Sequence, residues 1–233
     1  MKNVFSLTER NFDIITWGGV AIELNLSYDN ILLMLQMFDD KTVRDKDKPS
    51  ISLQMLLVDP SILSQLNSSQ QYDLLVEIFK VKLGIDLTSE GSKNGQSKEN
   101  TDSQGENIEG EESQDVPIVN YTIDAERIYS SFLMDYKIDL IAEQGKLLWN
   151  QFQALFNNLS DDTPMKTAIK YRVCEVPART KDNKEEIKDI KKKKAFYELP
   201  EAKAIREANE LKAYERNMRA KKKALMEMQG TTQ

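Results

Sequence analysis

No segment constrains the fold of this chain more than Asp124–Leu159, DAERIYSSFLMDYKIDLIAEQGKLLWNQFQALFNNL. It holds two apolar patterns of helical period around a turn at Lys137–Leu140. Ile128, Phe132, Leu133 and Tyr136 recur in the first. Leu147, Leu148, Phe152, Leu155, Phe156 and Leu159 recur in the second, with Trp149 beside the stripe. Residues three and four apart share one face of a helix, so each pattern demands a buried stripe. Most of these aromatics read as core. Trp149 stands off the main stripe, and Trp is enriched at the centres of interfaces. The Phe132, Trp149 and Phe152 region is therefore also a candidate partner contact.

Around this segment the chain is diluted by charge. Of its 233 residues 40% are hydrophobic and 30% charged, which calls for exposed helix surface or disorder. Nine Gly and six Pro are few breakers, and the many Leu, Lys, Glu, Gln and Ala residues favour helix. Histidine is absent, which removes the commonest general acid–base and metal ligand. The single cysteine, Cys174, allows neither an internal disulfide nor a thiolate cluster, and reads as a buried structural thiol in a reducing compartment. No signal-peptide pattern opens the chain, and no apolar run approaches the roughly 20 residues of a bilayer span. The carboxylate pairs Asp39-Asp40, Glu111-Glu112 and Asp161-Asp162 fall in turns or polar sequence, where water solvates them. Gly18-Gly19 lacks the Lys-Ser/Thr of a phosphate loop. The expectation is a protein without catalytic, cofactor or metal residues that works by binding.

Phe12–Leu26 reads as a β-hairpin turning at Gly18-Gly19, with Ile22, Leu24 and Leu26 on one face. Ser27 is placed to cap a helix bearing Tyr28, Ile31, Leu32, Leu35 and Phe38. A short helix is expected over Ile51–Leu57. A clearer one follows, capped at Ser68 or Ser69 and ended by Gly84. Thr88–Val116 holds 8 acidic and 2 basic residues and almost no large apolar side chain, so it reads as a disordered acidic insertion. Val116–Tyr121 is read as a short strand. Thr163-Pro164 opens a helix with Met165, Ile169 and Val173 on one side.

The C-terminal part is the opposite in charge: Pro177–Gln233 holds 16 basic and 10 acidic residues. Pro200 separates one charged helix from a last long one. Ile205, Ala208, Leu211, Tyr214, Met218, Leu225 and Met228 make a narrow stripe, which suits a partner helix better than a globular core. Leu211, Tyr214 and Met218 are its candidate contact residues. Lys191–Lys194 and Lys221–Lys223 are basic runs, but acidic residues sit among them and aromatic interleaving is thin. A solvated helix face is the preferred reading over nucleic-acid binding.

Ile123-Asp-Ala-Glu-Arg-Ile-Tyr-Ser-Ser-Phe132, Tyr136-Lys-Ile-Asp-Leu140, Trp149-Asn-Gln-Phe152, Ala168-Ile-Lys-Tyr-Arg172 and Lys192-Lys-Lys-Ala-Phe-Tyr-Glu-Leu-Pro200 follow one another in an order that resembles the bacteriophage family named for gene product fifteen. The resemblance covers about Val119 to Pro200. Residues 1–87 share only its layout. Where members often carry His-Trp-Trp, this chain has Leu147-Leu148-Trp149, and its last helix extends past the usual end. Such proteins occur in phages with long non-contractile tails, encoded near the tail tube and tape-measure genes. The resemblance thus implies a tail assembly chaperone that coats the tape-measure protein until tail tube subunits polymerise around it; the tail tube protein and self-association are further candidate contacts. It would act in the host bacterial cytoplasm and be missing from the finished virion.

The expected architecture is mainly α: a compact helical domain with a small N-terminal β-hairpin, a disordered acidic insertion and a long C-terminal helix. Four blocks are drawn, 1–87, 88–116, 117–199 and 200–233. Two rival functions stand beside the chaperone, a structural tail completion protein and a nucleic-acid-binding regulator using the basic C-terminal region.

Overall fold

The first elements are a two-stranded antiparallel hairpin, β1 (Ile14–Trp17) and β2 (Val20–Glu23), with Ile15 opposite Ile22 and Trp17 opposite Val20. Its two-residue turn needs positive φ at both positions, and Gly18 and Gly19 supply it at +58° and +81°. In this computed structural model residues 8, 12–85, 87, 116–180 and 182–230 are described, with side chains to residue 222. The acidic insertion expected over 88–116 lies outside the described residues, Val116 excepted. The protein is mainly α with the small N-terminal hairpin and long C-terminal helix that the sequence predicts. It divides into two compact units: Met1–Gly105 with Ile128–Ser160, and Glu106–Arg127 with Asp161–Gln233. These packing units cut across the four sequence blocks.

The first unit contains α1 (Tyr28–Asp39), α2 (Lys48–Leu56), a 3-10 turn at Pro60–Gln65, α3 (Ser68–Ile78) and a widened π turn at Phe79–Leu83. The helix α4 (Ala125–Tyr136) enters it at Ile128, and α5 (Trp149–Asn157) follows. Ser27 holds the N-cap position of α1, but its hydroxyl donates to Asn25 Oδ1 and does not cap. The cap of α3 is Asn67, one residue ahead of the expected serines. Asn67 Oδ1 accepts from Gln70 N while Gln70 Oε1 accepts from Asn67 N, both at 3.0 Å, a reciprocal capping box. Gly84 ends the π turn with φ +70°, as expected of a C-cap glycine.

Phe152 is the centre of this unit and fully buried. Its ring stacks at 10–18° on four others: Tyr28 and Phe132 at 5.1 Å, Trp149 at 5.5 Å and Phe156 at 6.0 Å. Tyr28 belongs to α1, so the stack joins the N-terminal helices to the α4–α5 segment in one core. Backbone bonds reinforce the join, from Tyr28 N to Leu147 O (2.9 Å) and from Trp149 N to Leu26 O (2.8 Å). Asp29 accepts from Gly145 N. The Tyr28 hydroxyl donates to Leu140 O at 2.6 Å, and burial pushes its phenol up to about 12.

The second unit holds residues 116–127 and three helices, α6 (Pro164–Val173), α7 (Lys184–Tyr197) and α8 (Pro200–Gly230). Thr163 caps α6 by accepting from Lys166 N, and Pro164 sits at its N1. Val116–Tyr121 is not a strand. It has no neighbouring strand to pair with among the described residues, and side chains satisfy part of its backbone. The buried face of α6 is also rotated from the expected one. Met165 and Ala168 are fully buried and Arg172 lies with them, whereas Val173 is 53% exposed.

Phe152→Ala removes the ring that four others stack on. It should destabilise the first unit by about 3–5 kcal/mol, read as a lowered urea midpoint of near-ultraviolet dichroism.

Candidate partner-binding surface

The site is built on a charge buried where none was expected. The Asp124 side chain has 0% exposure, one residue ahead of α4. Arg172 on α6, itself 6% exposed, meets it with two bonds: Nη1 to Oδ2 at 2.6 Å and Nη2 to Oδ1 at 2.8 Å. Arg127 adds a third at 3.0 Å, and Asn120 N a fourth at 3.1 Å. Burial pushes the Asp124 carboxyl up, but the Arg172, Asn120 and Arg127 donors outweigh it and hold the group below the usual aspartate range.

Arg172 has donors left over, and they set where the helices end. Nε donates to Tyr197 O at 2.6 Å, at the last residue of α7, and Nη1 also reaches Ile118 O at 2.8 Å. Lys194 of α7 donates back to the carbonyls of Arg172 and Cys174, which close α6. Tyr171 and Tyr197 stack at 5.7 Å and 4°, with Lys193 over Tyr171 and Arg127 over Tyr197. Cys174, read from sequence as a buried thiol, is half-buried at the C-cap of α6.

The chain turns at Glu198–Leu199 into α8. Leu199 is 1% exposed, and Ala202 and Ile205 continue the packed face. Arg206 reaches back across the turn to grip Glu198 with both arms, at 2.7 and 3.1 Å, and also bonds Glu210. That guanidinium holds the Glu198 carboxyl below its ordinary range. Asn120 Nδ2 donates to Glu201 in the first turn. Asn120 thus ties the base of α8 to Asp124, which it also bonds through its backbone N–H.

Beyond Ile205 every described residue of α8 is exposed except half-buried Ala213. Leu211, Tyr214 and Met218 are 58%, 62% and 49% exposed. The single stripe read from sequence is two faces. Three successive three-residue steps from Ile205 each fall about 60° short of a full turn, so the pattern winds round the helix. Ala202 and Ile205 pack inward, and Leu211 lies about 180° round from Ala202. The other three predicted contacts are placed elsewhere. Phe132, Trp149 and Phe152 are 0%, 3% and 0% exposed within the first unit's stack. Trp149, read as lying beside its stripe, opens α5 and turns its ring onto Phe152.

The Asp124–Arg172 pair was missed from sequence because 48 residues separate the partners. The one available signal was that both fall inside the segments carrying the family resemblance. α8 is 31 residues long, but no helix among the described residues is long and apolar enough to cross a membrane.

The fold is mainly α, and its last helix carries the exposed apolar residues Leu211, Tyr214 and Met218. The family model of the bacteriophage Gp15 protein matches residues 8–199, and the chain belongs to that family. It is a family of phage structural and assembly-type proteins. Comparison with curated proteins and with solved structures gives no match to either.

Asp124→Asn leaves Arg172 buried without its counter-charge and should cost about 3–5 kcal/mol. The folded pKa of Asp124 lies below its unfolded value. Its contribution is therefore complete above about pH 4 and is lost as pH falls through the lower, folded value. Acid unfolding followed by far-ultraviolet dichroism should show this loss in the wild type, and a flatter acid limb in Asp124→Asn.

Proposed function

We propose that the protein is a tail assembly chaperone that holds the tape-measure protein soluble until tail tube subunits close around it. The observation that carries this reading is the family match over residues 8–199, a family of phage assembly-type proteins. An elongated helical client exposes repeated apolar stripes, and a binder needs exposed apolar residues of its own to cover them. Leu211, Tyr214 and Met218 are such residues. Many weak contacts along one rod hold by avidity, so no deep pocket or chemical step is required. The role places the protein in the host cytoplasm, with the tape-measure protein as partner and the tail tube protein as its successor on that client.

Co-expression of this protein with its phage's tape-measure protein should raise the soluble fraction of the latter several-fold, measured by quantitative immunoblot of cleared lysates. Unchanged solubility rejects the chaperone. Mass spectrometry of purified virions should find no copies of this chain, whereas stoichiometric copies would make it a structural tail component.

A further inference from the structure

Leu211, Tyr214 and Met218 sit at i, i+3 and i+7, the spacing of a coiled-coil seam, and form a strip about 10 Å long. The charge around them is one-sided. Residues 211–222 contain Lys212, Arg216, Arg219, Lys221 and Lys222 against the single acidic Glu215. Lys221 and Lys222 fall on either side of the strip's C-terminal end. Three α8 ion pairs lie N-terminal to it: Lys203–Glu207, Arg206–Glu198 and Arg206–Glu210. Lys212, Arg219, Lys221 and Lys222 join none of these. Finally, the family match ends at residue 199, and α8 begins at Pro200. The strip therefore lies outside the residues that the family model matches.

We infer that residues 211–222 of α8 form a docking strip for an acidic amphipathic helix of a partner protein, packed in coiled-coil fashion. The apolar trio would cover the partner's a/d seam, and its flanking carboxylates would meet the lysines and arginines. Two other occupants fit less well. A second copy of this chain would bring one net-positive stretch against another, which like-charge repulsion opposes. A nucleic acid would engage the cations but leave Leu211 and Met218 uncovered, with Tyr214 alone to stack on a base. The inference rests on the tape-measure reading only for the partner's identity, and its chemistry is tested separately.

The test uses the full chain and two synthetic four-heptad peptides, both with Leu at a and d, one with Glu and the other with Lys at e and g. Fluorescence anisotropy should show the acidic peptide binding at least about tenfold tighter than the basic one. The combined Leu211→Ala, Tyr214→Ala and Met218→Ala variant replaces exposed residues with the best helix former, so it should keep its helical dichroism and lose that binding. A second variant, Lys221→Glu with Lys222→Glu, should shift the preference toward the basic peptide. Equal binding of both peptides, or acidic-peptide binding untouched by the alanines, overturns the inference. So does sedimentation showing a dimer that the alanines dissolve, or nucleic-acid binding that depends on the lysines and not on the apolar trio. Co-expression separates the two readings. If wild type and alanine variant solubilise the tape-measure protein equally, the strip is wrong and the chaperone stands. If wild type fails to solubilise it yet binds the acidic peptide through the trio, the strip stands and the chaperone falls.

Discussion

A carboxylate with no contact with solvent must be neutralised where it sits, and Asp124 is such a group. An isolated buried charge costs several kcal/mol, so the surrounding chain has to present donors at fixed positions. Arg172 does so from α6, with Arg127 and Asn120 beside it. The planar guanidinium has five donors in a rigid fork, more than one carboxylate can use. The surplus reaches the end of α7 and the irregular stretch at Ile118. One ion pair thus fixes where helices stop and where α8 begins. A lysine at 172 would neutralise the charge but could not reach these carbonyls in the same geometry.

The first unit answers a different constraint, that of burying aromatic area. Phe152 holds four rings together, and Tyr28 is drawn in from the other end of the sequence. Phe132, Trp149 and Phe152 invite a reading as a binding surface, because large aromatics serve interfaces and cores alike. Burial decides between these uses. A side chain with 0–3% exposure has no surface left to offer, whereas Leu211, Tyr214 and Met218 keep about half of theirs. The weight of the proposed binding role accordingly falls on α8.

Much of this was legible in sequence, and the failures have definite causes. The Gly18-Gly19 turn, the Gly84 cap and the Thr163-Pro164 start are local signals, and the structure shows each. Asn67 displaced the expected serine caps because a cap needs one residue in extended backbone followed by a helix. Two neighbouring candidates differ only in which position the chain leaves non-helical. The face of α6 was misplaced because an apolar period cannot register the buried ion pair that draws Arg172 inward. The stripe on α8 was read as continuous because it counted steps of three without letting the 60° lag accumulate.

The amino-acid sequence on its own determined the class of the fold, the order of its elements and the family, since these depend on local periodicity, turn chemistry and ordered motifs. It also determined that the C-terminal helix would be long and net basic. Only the tertiary structure decided which aromatics are spent on the core, that Asp124 and Arg172 meet across 48 residues, and which face of α8 remains open. The reason is physical. Periodicity says that a face must be covered, but what covers it depends on contacts far apart in the chain, and a buried charge is recognisable only once its partner has been brought to it.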